Sequence, residues 1–432
     1  MAEQVSSLKT GIKFKNTPIG KIPVDWEAVR LEDVCNVVGG STPSTSKKEF
    51  WGGDIPFATP TDITNLPGRE ISDTKQKITS EGLSSCGTHL LPAGSILLTS
   101  RATIGACAIN TKPMATNQGF ASLVCSEKAY NWFVFYKIIS MQDELQRLGS
   151  GSTFKEVSKN NIGSLLLSLP PFPEQKKIAE IVTTLDEGIE KTSQVIEKIK
   201  ETKKGLMQKL LTRGIGHKEF KKTEIGEIPV EWEVVKLGAL TATITKGTTP
   251  TTYGFNFIEA GINFIKVESI DENGNFIWEN IPHITEEANK ALNRSILREA
   301  DILFSIAGAL GRIAIVNKDL LPANTNQALA IIRLRKISET MIGYIKYYLS
   351  GPIIQGYIKK IAVQSAQANL SLTQINNFLL GLPTVHEQKQ IVEILSSVDE
   401  EIEKETKNKE QLESLKKGLM QVLLTGKVRV SV

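Results

Sequence analysis

A chain of 432 residues, 41% hydrophobic and 23% charged, is long enough for about two to four domains with cores of their own. A net charge of +4 excludes a global basic field, so a nucleic-acid surface must be a local patch. No apolar run approaches the ~18 residues that span a bilayer, and the first residues lack the apolar core of a signal peptide, so the expectation is a cytoplasmic protein with no membrane contact.

Residues 1–168 read as a first α/β domain with an N-terminal arm over 1–16. Within it, the segment Thr17 to Leu31 returns 206 positions later as Thr223 to Leu237, with 10 of 15 residues identical. Short strand-like runs at 54–58, 95–99 and 119–124 alternate with Gly and Pro punctuation. A helix is expected over about 129–148, with Trp132, Phe133, Tyr136, Ile139 and Leu145 facing a core. Cys35, Cys86, Cys107 and Cys125 all lie in this half, and none forms a C-x-x-C pair. That spacing excludes zinc and dithiol motifs and points to reduced thiols.

Residues 169–214 read as a long helix. Positions 178, 182, 185, 189, 192, 196, 199, 203, 206 and 210 alternate in steps of four and three, and only Thr192 and Lys203 among them are not Ile, Val or Leu. Residues 215–381 form a second α/β domain, with strands at 302–305 and 329–332 and a helix around 341–361. Residues 382–432 repeat the helix and end in a tail. Leu169 to Thr212 recurs at an offset of 213 as Leu382 to Thr425, with 23 of 44 residues identical. Ile391, Leu395, Val398, Ile402, Leu412, Leu419 and Leu423 keep the register, while Glu405, Lys409 and Lys416 break it. Sustained four-three spacing predicts two coiled-coil helices that pair antiparallel with each other. Glu174 and Glu387 suit the helix starts, and Gly214 and Gly426 suit the stops. The fold class is therefore α+β: two α/β domains separated by two long helices, as a circular pseudo-twofold repeat whose termini lie close together.

Gly205 and Gly418 sit at equivalent places inside these helices. A mid-helix glycine costs about 1 kcal/mol against alanine. Its appearance in both copies marks Lys204, Gly205, Leu206, Lys417, Gly418 and Leu419 as a helix crossing or a docking patch.

Catalytic motifs are absent from the sequence. No phosphate-binding Gly-rich loop occurs, and His89, His217, His283 and His386 have no metal-ligand spacing. Leu169-Pro-Pro-Phe172 resembles the Asp/Asn-Pro-Pro-Tyr/Phe motif of amino-methyltransferases, but Leu169 cannot accept a hydrogen bond from a target amino group. It reads as a strand-to-helix connector. No cofactor, no metal and no enzymatic activity are expected of this chain.

Four elements appear twice and in order: Ile-Gly-x-Ile-Pro-x-x-Trp-x-x-x-x-Leu, a Gly-x-Thr-Pro loop, Asn-Gln before a strand, and Leu-Pro-x-x-x-Glu-Gln-x-x-Ile opening a helix. Together they resemble the specificity subunit of type I restriction-modification systems over nearly the whole chain. The resemblance implies two target recognition domains, each reading half of a bipartite, asymmetric double-stranded DNA site. It implies that the helices act as a spacer and dock two methyltransferase subunits, through which restriction subunits join. S-adenosylmethionine, ATP and Mg would belong to those partners. The other reading is a two-headed coiled-coil scaffold that binds proteins.

The repeat nominates DNA-binding residues. Gly40, Thr42, Pro43, Thr45, Ile55, Phe57 and Ile63 recur at an offset of 207, which marks them as scaffold. Between them, Thr59, Thr61 and Asp62 face Lys266, Glu268 and Ser269, while Ser46, Lys47 and Lys48 face Tyr253, Gly254 and Phe255. Unlike side chains on one scaffold suit unlike half-sites, with Lys266 matched to guanine and Glu268 to cytosine. Asn117-Gln118 and Asn326-Gln327 are shared, so they fix loops or touch the backbone.

Overall fold

The computed structural model describes residues 8–9, 12–149, 156–364 and 369–431. Most of the expected N-terminal arm, residues 1–7 and 10–11, lies outside the described residues. The chain divides into two compact units, residues 1–194 with 406–432, and residues 195–405. Each is α+β, and both follow one plan.

The first unit starts with a hairpin, Phe14–Thr17 against Gly20–Pro23. The chain then buries Trp26 completely and enters the strand Glu27–Arg30. That strand pairs antiparallel with Leu166–Leu169, the last strand of the domain. The domain's two ends therefore leave side by side, and Pro170-Pro171 turns the chain straight into the long helix Phe172–Arg213. A proline pair suits this place because it cannot donate to a strand ladder and presets φ for a helix start. The connector reading of Leu169 to Phe172 holds.

Between those ends lies a five-stranded sheet in the order Cys35–Gly39, Ala121–Cys125, Ile96–Leu98, Cys107–Asn110, Glu70–Ile71. A three-stranded sheet follows the order Ala115–Thr116, Trp51–Ala58, Gln76–Ile78. The helical stretch expected over 129–148 is two helices, Asn131–Ser140 and Gln142–Leu148. Phe133, Tyr136 and Leu145 are in the core as expected, and Trp132 and Ile139 pack against it.

The second unit repeats the hairpin as Phe220–Thr223 against Gly226–Pro229, and the closing pair as Glu233–Lys236 with Leu379–Leu382. Its larger sheet has the order Thr241–Lys246, Leu329–Leu334, Ile302–Ser305, Ile313–Ile315. The helix expected around 341–361 is broken into Glu339–Ser350 and Pro352–Gln364. Pro352 lacks the N–H that an unbroken helix would need there.

Each unit holds a stretch of both long helices, running antiparallel. In the first, Ile178, Ala179 and Val182 share a core with Met420, Leu423 and Leu424, while further along Asp186 meets Lys416. In the second, Leu210 and Leu211 share a core with Ile391 and Leu395, and Lys203 meets Asp399. The second helix runs Val385–Leu423. Gly214 and Gly426 follow the helix ends with φ of +62° and +70°, a left-handed stop that glycine adopts at least cost.

Two seam breaks acquire a physical reason. Lys416 Nζ lies 2.6 Å from Asp186, whose other oxygen accepts the Tyr136 hydroxyl at 2.7 Å. Lys203 likewise pairs with Asp399 at 2.5 Å, and Asp399 accepts the Tyr347 hydroxyl at 2.8 Å. Burial, with the carboxylate alongside, pushes both phenols up, so each remains a donor. A Tyr–Asp–Lys set thus ties a domain helix to both long helices in each unit.

A second duplicated latch lies at each helix start. The Trp26 indole donates to Glu174 at 3.1 Å, and Trp232 donates to Glu387 at 3.0 Å. Arg429 joins Glu174 to Asp25, holding the Asp25 carboxyl below the usual range. At the equivalent place in the other unit, His217 bridges Glu387 and Glu231. The first-turn carboxylates therefore act through specific hydrogen bonds as well as through the helix dipole. Arg429 lies on the strand Arg429–Val430, which pairs antiparallel with Leu8–Lys9. The two ends of the chain meet, as the circular repeat requires.

Lys137 is buried and donates to Ser168 Oγ and to the Leu424 carbonyl, both at 2.9 Å. Burial lowers its ammonium from an ordinary 10.5 to about 8. Across that window the unfolded chain holds a proton that the folded chain has released, so this group's contribution to stability rises with pH. Lys137→Met is expected to remove that rise. The check is the wild-type minus mutant difference in urea midpoint, which should grow in favour of wild type from pH 8 upward.

Candidate nucleic-acid interface

In the first unit, the strand Cys35–Gly39 runs into the Gly-x-Thr-Pro loop. Gly40 lies so close to the Thr116 and Asn117 carbonyls that no side chain fits. Thr42 donates its hydroxyl to Gln118 Oε1, and Asn117 Oδ1 accepts the Gly119 amide at 2.9 Å. The second unit repeats this arrangement. Gly247 abuts the Thr325 carbonyl, Thr249 donates to Gln327 Oε1 at 2.7 Å, and Asn326 Oδ1 accepts the Ala328 amide at 3.0 Å. The shared Asn-Gln pairs thus fix the two loops to the strands beside them.

Beside the first loop is an open cleft of about 250 Å³. Thr42, Thr45, Trp51, Phe57, Thr59 and Gln76 are among its lining residues. Trp51 stands edge-on to Phe57 at 5.5 Å, and its indole donates to the Ser44 carbonyl at 3.1 Å. Half-buried Trp51 packs on the buried Phe57 as one aromatic wall, and the threonine hydroxyls and the Gln76 amide complete a lining that suits a flat, hydrogen-bonding ligand edge. Of these residues, Thr59 alone was singled out from the differences between the two halves; Thr42, Thr45 and Phe57 are shared positions, which that comparison sets aside.

The nominated residues divide into two groups. Ser46, Lys47 and Lys48 are exposed together, with Ser46 hydrogen-bonded to Ser44 and Lys47 over the Phe50 ring at 5.1 Å. Thr61 is exposed as well. Thr59 and Asp62 are otherwise engaged: the Asp62 carboxylate accepts both the backbone amide of Thr59 at 2.8 Å and its hydroxyl at 2.6 Å. This is the capping box of the helix Pro60–Thr64, and it occupies the side chains it uses.

In the second unit, Tyr253 is 59% exposed at the end of a short 3-10 turn. Lys266 lies over the Phe257 ring at 4.3 Å and 3.9 Å from Glu268, which faces solvent. Ser269 corrects the expectation. It is fully buried, accepts the Lys266 amide at 3.2 Å and donates to the Asn280 carbonyl at 2.8 Å, so it shapes the turn and cannot meet a base. The Asp62/Ser269 difference is one of capping chemistry. Arg294 was missed: it is exposed and lies 3.4 Å from Thr248 inside the second loop.

The helix patch is also corrected in part. A side chain built at Gly205 or Gly418 would meet nothing within 4 Å, so neither glycine marks a close helix crossing. Lys204 and Lys417 are exposed beside them, whereas Leu206 and Leu419 pack against the two cores. The lysine–glycine face is open and the leucines are not. Among the described residues, no group of three His, Cys, Asp or Glu is placed to hold a metal ion, and no helix is long and apolar enough to cross a membrane.

Comparison with known proteins agrees with this geometry. The type I restriction modification DNA specificity domain matches twice, over residues 23–201 and 229–414. The MjaIX specificity subunit of Methanocaldococcus jannaschii is 31% identical over 433 residues, covering 97% of each chain. The Escherichia coli EcoBI specificity subunit is 29% identical over 319 residues, 69% of this chain and 66% of its own. Among solved structures, a chain from work on complex assembly and conformational transition of the type I R-M system shares the fold, with a TM-score of 0.58 at 20% identity, covering 94% of this chain and 99% of that one. The S subunit from M. genitalium gives 0.53 at 14% identity, covering 96% and 99%. The duplicated scaffold and these matches lead to one assignment: the chain belongs to the family of type I restriction-modification specificity subunits and carries the DNA specificity domain twice.

Proposed function

We propose that each unit reads one half of a bipartite, asymmetric DNA site and that the chain itself carries out no chemistry. Adenine methylation or cleavage falls to partner subunits, which carry S-adenosylmethionine, ATP and Mg. The observation that supports this reading is one loop scaffold built twice, Thr42 on Gln118 and Thr249 on Gln327, with unlike exposed side chains around it. Ser46, Lys47, Lys48 and Thr61 are exposed around the first; Tyr253, Glu268 and Arg294 are exposed around the second, with Lys266 half-buried over the Phe257 ring. Lysine and arginine anchor phosphates, while the differing acceptors and donors suit different base edges. The DNA-recognition role, rather than a protein-binding scaffold, is the one shared with the family.

The open Lys204–Gly205 and Lys417–Gly418 faces offer the same surface once per unit, which suits two methyltransferase subunits per chain. Restriction subunits would join through them.

The test is a footprint on duplex DNA with the methyltransferase partner present. Two separated protected patches are expected, with affinity falling steeply as salt rises. Exchanging residues 32–168 for the matching segment of a relative should change one half of the methylated site and keep the other. If methylated-site sequencing shows both halves changing together, or a single continuous footprint, the two-reader proposal is wrong.

A further inference from the structure

Cys35 and Cys125 stand directly opposite each other in the antiparallel pairing of Cys35–Gly39 with Ala121–Cys125, with their sulfurs 3.3 Å apart. The neighbouring pair fixes the kind of site. The Ser126 amide donates to the Val34 carbonyl at 2.9 Å, so 34 and 126 form the hydrogen-bonded pair and 35 and 125 the non-bonded one. At non-bonded positions the opposed Cα atoms approach to about 4.5 Å. That spacing lies within the range of about 4.4–6.8 Å that a disulfide spans.

A second observation concerns access. Cys125 lines an open cleft of about 280 Å³, together with Gly94, Ser95, Val124, Tyr130 and Asn131. Cys35 is buried behind it, 3% exposed. The Cys35 thiol donates to the Cys125 sulfur, and this contact together with burial pushes the Cys35 thiol up. Cys35 is therefore the buried, proton-donating partner, and Cys125 the one that lines the cleft.

We propose that Cys35 and Cys125 form a reversible oxidation site for small hydroperoxides, closing a disulfide across the two strands that lead into the first unit's Gly-x-Thr-Pro loop. The Cys125 sulfur gives up its proton and attacks the outer peroxide oxygen, the O–O bond breaks, and the leaving oxygen takes that proton to become alcohol or water. Cys125 is then a sulfenic acid. The Cys35 sulfur attacks the Cys125 sulfur, the S–O bond breaks, and hydroxide leaves with the Cys35 proton as water. Two thiols supply the two electrons that reduce one hydroperoxide, and a dithiol reductant reverses the change by exchange. The second unit has no such site, because Thr241 and Leu334 are paired at the corresponding position.

The test uses the full chain treated with graded hydrogen peroxide, digested without reduction and mapped by mass spectrometry. The expected product is a Cys35 peptide joined to a Cys125 peptide, lighter by two hydrogen atoms and separated again by dithiothreitol. Closing this long loop should raise the unfolding midpoint of the first unit by about 4–10 °C. Cys125→Ser should show no such rise, and its Cys35 should stay reduced at the same doses. Cys125 advancing to sulfinic acid while Cys35 stays free would overturn the proposal. So would crosslinks to Cys86 or Cys107 as frequent as the link to Cys35.

Discussion

Trp232→Ala is expected to destabilise the second unit by about 3–5 kcal/mol, the range for emptying a buried aromatic site. The indole is 1% exposed, meets the edge of the His217 ring and donates to Glu387. Removing it leaves a cavity beside a carboxylate that has lost one of its donors. Trp232→Phe keeps most of the packing and forfeits the hydrogen bond, so its cost should be smaller, nearer 1–3 kcal/mol. Urea unfolding of the two variants decides the matter. A Trp232→Ala loss no greater than that of an exposed substitution would show that the latch does not hold the helix start.

Asp186→Ala is expected to destabilise the first unit through the loss of one carboxylate from its long helix. The Asp186 side chain is 9% exposed and serves Tyr136, Lys416 and Arg69, the last at 3.3 Å. Its loss takes the carboxylate away from Lys416, while Tyr136 keeps the Thr183 hydroxyl and Arg69 keeps Glu190. Breaking a buried pair in this way costs about 3–5 kcal/mol, and partial exposure of Arg69 and Lys416 trims that to about 2–4. Asp399 plays the same part in the second unit, but its side chain is 32% exposed. There the expected loss is about 1–2 kcal/mol. Asp186→Asn retains an acceptor without the charge and should fall between wild type and alanine. Equal losses at 186 and 399 would mean that burial is not what sets the cost.

The long helices were legible because four-three spacing is a local property of the sequence, and the repeat supplied their pairing. The reason for the breaks at Lys203 and Lys416 was not legible, because each ion pair joins residues far apart in sequence. Tyr136 and Tyr347 complete those sets from domain helices whose register against the coil no local pattern reveals. Thr59 and Asp62 were readable in principle: Thr-x-x-Asp before a short helix is capping spacing, and capping competes with base contact for the same atoms. Ser269 is buried for the same reason, while Lys47, Lys48, Thr61 and Glu268 stay exposed, with Lys47 over the Phe50 ring and Glu268 3.9 Å from Lys266. Cys35 and Cys125 depend on strand register, which cysteine spacing alone does not contain. The break before Pro352 was signalled by the proline itself.

The division of the chain into units has a consequence for synthesis. The second unit is one uninterrupted stretch, 195–405, while the first is stitched from 1–194 and 406–432. As the ribosome delivers the chain, the second unit has all its parts before the first does. Until residues 406–432 emerge, Glu174 waits without Arg429, Asp186 without Lys416, and the Leu424 carbonyl that Lys137 needs does not yet exist. The half that begins first is completed last, and in the interval Ile178, Ala179 and Val182 lack the cover of Met420, Leu423 and Leu424.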